Sequence, residues 1–467
     1  MNGITINQNK FTVRAYADDT YIGGTGIQDW STLQLWVDRH LLAANGKMNW
    51  GKTSFYPLSP SSNYTFPPYP PAAQLPLATL GVLLPITPEN SMTLWNSLLQ
   101  KAKNKAASLS DRNLTLRGRV LILKTHILSL FWYHATVSPP PHNILTQLQT
   151  LVKQFVWKGR QYHPKVDISS LTNDNGGINL PIIKVETEIR LAKTLTQAYL
   201  PHPPFWIHVN NHIMQTRTTH NDIIQSITQR RSIRLPIEPL RSCLSACRKI
   251  ENLTPNTMNT FPPLPTLRNI LRPQAPNEPN ILVIPRVGQV NWAEIIHSHR
   301  HRPASDLLWL ATWERLPVGQ PIATIAPDKA QCPWCPDIKH NIIHLFDQCH
   351  MAQSVWDTAH IIYTEGTHSL PPPYIPNPSL SEHQLRLLRS IQSAAILTLW
   401  SAFTTRAFGH NPTPTHTDIM DQLLGRLLYL RTIDLHINPL TPWVSPKKTL
   451  SVITVAKNRF VPAPPSS

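Results

Sequence analysis

Cys332-Pro333-Trp334-Cys335, followed after eight intervening residues by His344-Leu345-Phe346-Asp347-Gln348-Cys349, is the stretch that decides how this chain is built. Two thiols three positions apart can aim their sulfurs at one point from a single turn of backbone. A histidine and a cysteine five apart can then close a tetrahedron around zinc. Cys332, Cys335, His344 and Cys349 make four ligands, which fits a closed structural Zn²⁺ site better than a catalytic one with an open position. A small, loop-rich segment of this kind draws its stability from the metal. His340 and His350 are alternative ligands, and reduced cysteines beside a stray histidine are the competing reading.

The other two of the five cysteines, Cys243 and Cys247, lie four apart without nearby partners and read as buried thiols. So few cysteines in 467 residues exclude a disulfide framework. Met1 to Lys10 has no apolar core of the signal-peptide type. The most apolar stretch, Val120 to Val137, is interrupted by Lys124, His126 and His134, so it is no bilayer span. An intracellular protein, cytoplasmic or nuclear and without a membrane partner, is expected.

Net charge is +17, and 46 prolines are about twice the usual share. The first suits a phosphate-rich partner and the second predicts compact modules joined by irregular, Pro-rich linkers. Residues 3–24 read as a β-hairpin in which Phe11, Val13 and Ala15 alternate with polar residues, Asp18-Asp19 turns, and Thr20-Tyr21-Ile22 resumes the strand. An amphipathic helix over about 29–44 follows, with Leu33, Trp36, Val37 and Leu41 on one stripe. Between Glu89 and Tyr199 the pattern is helical, with Leu116, Val120, Leu123, Ile127 and Leu130 as a core-facing stripe. Residues 95–160 hold ten Lys or Arg against Asp111 alone. Such one-sided charge predicts a surface that tracks nucleic acid, with an ordinary solvated face as the alternative. Residues 253–280 contain seven prolines and read as a linker. His297, His299, Arg300, His301 and Arg302 form a basic strip, either a phosphate contact or a solvated turn. Residues 382–408 look helical, and the tail after Pro439 reads as loose.

Tyr16-Ala17-Asp18-Asp19 is the second chemical signal. Adjacent carboxylates repel unless a cation neutralises them, as paired divalent metals do in polymerases. Taken alone, Asp-Asp is ordinary turn chemistry. The surroundings extend the pattern. Ala15 to Thr20 resembles the active-site box of LINE-type (non-LTR retrotransposon) reverse transcriptases. Ala44-Asn45-Gly46-Lys47-Met48-Asn49-Trp50-Gly51-Lys52-Thr53 resembles the next palm motif, and Leu80-Gly81-Val82 the strand that grips the primer. Arg117-Gly118-Arg119-Val120-Leu121-Ile122-Leu123-Lys124 is similar to the family's thumb helix. Phe155-Val156-Trp157-Lys158-Gly159 and Gly176-Gly177-Ile178-Asn179-Leu180-Pro181 are similar to the segments after it. Leu308 to Trp313, the knuckle and Val355-Trp356 resemble the zinc-binding domain downstream of the polymerase, with Asn341 where relatives often carry glutamate.

The resemblance implies the C-terminal part of an RNA-directed DNA polymerase. Asp18 and Asp19 would bind Mg²⁺ as catalytic residues. Tyr16, Lys52, Arg117, Arg119 and Lys124 would meet nucleotide or nucleic acid, and RNA and DNA are the implied partners. The family supplies a third metal-binding aspartate well upstream, and none of the 17 residues before Asp18 is acidic. The expectation is therefore a chain inactive alone, which a separate palm-and-fingers chain would complete. The expected fold is multidomain and mostly α, with an α+β palm remnant at 1–86 and a helical thumb at 87–200. A connection and Pro-rich linker at 201–280, a small zinc-binding module at 281–365 and a helical, Pro-rich tail at 366–467 complete it. A non-catalytic zinc-containing nucleic-acid-binding protein and a maturase-like reverse transcriptase of group II introns are the alternatives.

Overall fold

The computed structural model describes residues 4–6, 9–16, 19–23, 30–55, 77–79, 82–84, 87–160, 163–198, 225–229, 240–255, 264–272, 283–284, 288–289, 292–332, 334–335, 341–368, 380–409 and 412–459. Backbone contacts divide the chain into two compact units, Met1–Leu94 and Trp95–Ser467.

In the first unit, β1 (Ile4–Ile6), β2 (Asn9–Tyr16) and β3 (Asp19–Gly23) form an antiparallel sheet in the order β1-β2-β3. Val13 faces Ile22 and Tyr16 faces Asp19 in its register, so Asp19 opens a strand where a turn position was expected. α1 (Trp30–Ala43) lays Leu33 against Ile22 and Val37. Trp36, expected on the same stripe, is half exposed. Lys52 ends a single 3-10 turn, Trp50–Lys52. β4 (Leu77–Thr79) pairs antiparallel with β5 (Val82–Leu84). Leu80 and Gly81, read as part of the primer-gripping strand, lie outside the described residues.

The second unit is helical. α2 (Pro88–Ser110) buries Trp95, Leu98, Leu99, Ala102 and Ala106, and Trp95 stacks on Phe131 at 6.0 Å. α3 (Leu116–Ile122) runs into a π-turn, Leu123–Ile127, and then α4 (Ser129–Val137). The Leu128 N–H donates to the Leu123 carbonyl at 2.8 Å, five residues back. That extra residue rotates everything after it. Leu116, Val120, Leu123 and Ile127 are buried as the period predicts, but beyond the π-turn Leu128 and Phe131 replace Leu130 in the core.

α5 (His142–Trp157) presents Ile144, Leu148, Leu151, Val152 and Phe155 to the core at helical spacing. The short α6 (Val166–Ser170) leads to α7 (Ile183–Ala198), which packs on α8 (Leu240–Leu253) and α9 (Leu264–Leu271). Cys243 and Cys247 are buried in this cluster as expected. α9 lies inside the stretch read as a linker, and its Leu267 is fully buried. The prolines there frame a short amphipathic helix: Leu264, Leu267 and Leu271 recur at three and four.

Past the two-stranded β6 (Val283–Ile284) and β7 (Gly288–Gln289), α10 (Trp292–Ile296) and α11 (Arg302–Thr312) enter the centre of the unit. α11 is buried from Ala304 to Thr312 and packs on the long helix Glu382–Phe408. α12 (His350–Thr367) follows the knuckle. α13 (Glu382–Phe408) and α14 (His416–Ile437) each begin with a capping box, Ser381 with Gln384 and Thr415 with Asp418. α15 (Pro446–Arg459), in the tail expected to be loose, buries Thr449 and Ile453. Pro446 opens it at the first helical position, where a missing N–H breaks no bond. The basic strip is a structural corner. Arg300 is buried, donating to the Glu294 carbonyl at 3.0 Å and to Gln392 at 3.2 Å, and Arg302 donates to the Ile296 carbonyl.

Candidate metal centre

The four ligand atoms of Cys332, Cys335, His344 and Cys349 all lie within 4.8 Å of one another. Cys332, His344 and Cys349 are buried and Cys335 is partly so. Cys349 Sγ sits 3.6 Å from Cys332 Sγ and 3.8 Å from Cys335 Sγ. Two sulfurs about 2.3 Å from a tetrahedral zinc stand about 3.8 Å apart, so the spacing fits the ion.

Local backbone makes this arrangement. Asn341 Oδ1 accepts the His344 N–H at 2.7 Å, and the Asn341 carbonyl accepts the Leu345 N–H. A second π-turn, His344–Gln348, then brings the Cys349 N–H to the His344 carbonyl at 2.8 Å. Two ligands five apart are thereby tied through their own backbone. The Trp356 indole braces the turn by donating to the Phe346 carbonyl at 2.7 Å. Cys349 occupies the N-cap position of α12, whose positive end favours a thiolate, and the His350 N–H points at Cys335 Sγ at 3.4 Å. The hydrogen bond with Cys332, then burial and the neighbouring sulfurs, push the Cys349 thiol well up. Burial and the adjacent Cys332 push Cys335 up as well. Three crowded sulfurs cannot all ionise unless a cation joins them, and a bound zinc supplies that charge. Of the alternative ligands, His350 lies outside the four-residue cluster and His340 lies outside the described residues.

Residues 281–356 match the family described as zinc-binding in reverse transcriptase. This segment is thus similar to the zinc-binding domain of reverse transcriptases. A Xenopus laevis protein, described as the transposon TX1 uncharacterized 149 kDa protein, is 25% identical over 210 residues. The match covers 42% of this chain and 15% of that protein, so the chain spans a small part of the relative's length. Together the two matches support the C-terminal region of a non-LTR retrotransposon reverse transcriptase.

The zinc-binding domain extends its contacts beyond residue 356. Arg406, on α13, donates to the carbonyls of Gln331 at 2.8 Å and Lys329 at 3.1 Å, while Lys329 returns a bond to the Ala407 carbonyl. Arg406 thus clamps the segment entering the knuckle and places a positive charge near Cys332. No spacing rule links residue 406 to 332, so reading the sequence alone misses it.

The same domain docks on the thumb-like helices. Trp309 and Trp313 both donate indole N–H groups to the Gly176 carbonyl, at 2.8 and 2.9 Å. Gly176 has φ +78°, and a Cβ there would stand 2.5 Å from the Trp292 ring, so glycine is required. Trp157 stacks on Trp309 at 6.3 Å.

This docking takes up residues expected to meet nucleic acid. Arg117 pairs with Asp306 at 3.3 Å, and Arg119 donates to the Val156 carbonyl at 2.8 Å. Burial lowers the pKa of both arginines. Lys124 faces a different environment, near Glu186, Arg268 and Arg272, and burial lowers its pKa to about 8. The basic surface itself persists, because Lys101, Lys103, Lys105, Arg112, Lys153, Lys158 and Arg160 are exposed. In the other unit, Tyr16 and Asp19 sit on paired strands, and Asp18 lies outside the described residues. Among the described residues no helix is long and apolar enough to cross a membrane.

Proposed function

We propose that this chain serves a retrotransposon reverse transcriptase as a nucleic-acid-binding body, in which the zinc-binding domain and the thumb-like helices act as one piece. The observation that carries this reading is the docking of Asp306 on Leu116 and Arg117, with Trp309 and Trp313 on Gly176. A zinc knuckle fixed to a helical support presents a stable surface to RNA or DNA, and the exposed lysines of α2 add a field that attracts phosphates. In the assembled polymerase, Asp18 and Asp19 would bind Mg²⁺, and Tyr16 and Lys52 would meet nucleotide or nucleic acid. Zn²⁺ is the structural cofactor.

Fluorescence polarisation of the full chain with single-stranded DNA and with an RNA–DNA hybrid, over a range of salt, tests the proposal. Affinity should fall steeply with salt. Changing Lys101, Lys103 and Lys105 together to Gln should reduce the log–log slope by about two to three. A slope that the triple change leaves untouched overturns the assignment of this surface, and an absence of binding overturns the function.

A further inference from the structure

We propose that a cavity between the thumb-like helices and α9 is a binding site for a phosphate monoester, carried either on a nucleic-acid end or on a free nucleotide. The cavity has a volume of about 370 Å³, within the range of small-ligand sites. Lys124 from the first π-turn, Trp132 from α4, Glu186 and Arg190 from α7, Arg268 from α9 and Arg272 just past its end line it.

Four cations surround one carboxylate, leaving three positive charges in excess. Glu186 is fully used: it accepts Arg190 Nη1 at 2.7 Å, Arg268 Nε at 2.7 Å and Arg268 Nη2 at 3.1 Å. These bonds fix both guanidinium planes, and Arg190 also lies 3.9 Å over the Trp132 ring. A purely structural ion-pair network accounts for those three residues. It leaves Lys124 and Arg272, both half-buried in the same wall and without a carboxylate of their own among the described residues.

Cations gathered out of water are unfavourable unless an anion joins them. Burial first, then Arg272 and Arg268, lower the Lys124 pKa against the pull of Glu186, and Arg272 is lowered in the same way. A phosphate monoester carries about −1.5 to −2 at neutral pH and offers three acceptor oxygens. It matches the excess charge better than an internal phosphodiester, which carries a single charge. The site was hidden in the sequence because Arg268 and Arg272 fall in the Pro-rich segment.

The nucleic-acid source, though not the pocket, rests on the function proposed above. The experiment uses the full chain and three probes: a single-stranded DNA with a 5′ phosphate, the same strand with a 5′ hydroxyl, and adenosine monophosphate. Polarisation reads the strands and calorimetry reads the nucleotide. The phosphorylated strand should bind about tenfold more tightly, a difference of about 1.4 kcal/mol. Arg272→Gln should bring that ratio close to one with the thermal midpoint unchanged. Nucleotide binding lost in Arg272→Gln, without binding of either strand, supports the pocket with a free nucleotide as its ligand and removes the nucleic-acid reading. Equal binding of both strands, with no nucleotide binding, overturns the pocket and leaves that reading standing. A 5′-phosphate preference that survives both Arg272→Gln and Lys124→Gln also overturns it.

Discussion

Asp306 reaches back 189 residues to Arg117: its Oδ1 lies 3.3 Å from the guanidinium, while Oδ2 accepts the neighbouring Leu116 N–H at 2.6 Å. One carboxylate within the zinc-binding segment thus caps the thumb-like helix and neutralises its first arginine. Burial outweighs attraction on both partners, raising the Asp306 pKa and lowering that of Arg117. The pair therefore acts more through orientation than through net stability.

Removing one partner strands the other. Asp306→Asn or Arg117→Met alone should destabilise the protein by about 2–4 kcal/mol, and the double change should cost less than the sum. Denaturant unfolding of the four proteins in the cycle measures this. Single changes without effect on stability, with Arg117→Met flattening the salt dependence of binding, would restore Arg117 as a phosphate contact.

Gly176 should be equally sensitive. Gly176→Ala forces a side chain into a left-handed backbone and against Trp292, so a loss of about 2–4 kcal/mol is expected. Trp309→Phe keeps most of the ring but removes one donor to Gly176, with an expected loss of about 1–2 kcal/mol. Thermal unfolding compares the two. An unchanged Gly176→Ala protein would mean that the domains do not dock as described.

Acid should loosen the second unit. Burial alone would raise Glu186 and Glu294, but hydrogen bonds and charge from Arg268 and Arg190, and from Arg389 and Arg300, hold both below the usual carboxylate range. A depressed carboxylate contributes stability that is fully present above its unfolded value and lost as pH falls through the folded one. The thermal midpoint should therefore drop as pH falls below about 4.3. Glu186→Gln should start from a lower midpoint and show a shallower acid slope. An identical slope in that variant would remove Glu186 from the acid response.

What was legible in the sequence follows from how local each signal is. Cys332, Cys335, His344 and Cys349 were readable because the knuckle and the π-turn are short-range geometry. The β2–β3 hairpin and the limits of α13 were readable from alternation and capping for the same reason. The thumb stripe held from Leu116 to Ile127 and failed at Leu130, since a π-turn adds a residue that no hydrophobic period announces. Arg117 and Arg119 were expected at nucleic acid, and their bonds to Asp306 and the Val156 carbonyl were not legible, because a basic residue declares its charge but not a partner remote in sequence. α9 was masked by proline count, although Leu264, Leu267 and Leu271 carried the helical spacing. Arg406 had no sequence signal.

The zinc content of freshly purified, reduced protein decides whether the four-ligand centre exists. Mass spectrometry of the metal should give about one Zn²⁺ per chain. Cys349→Ser should lose the zinc and increase backbone exchange around residues 332–349. Cobalt substitution should give the ligand-field spectrum of a tetrahedral site with three sulfurs and one nitrogen, altered in His344→Ala. Wild-type protein without zinc, or a full equivalent of metal retained in Cys349→Ser, would contradict the four-ligand centre.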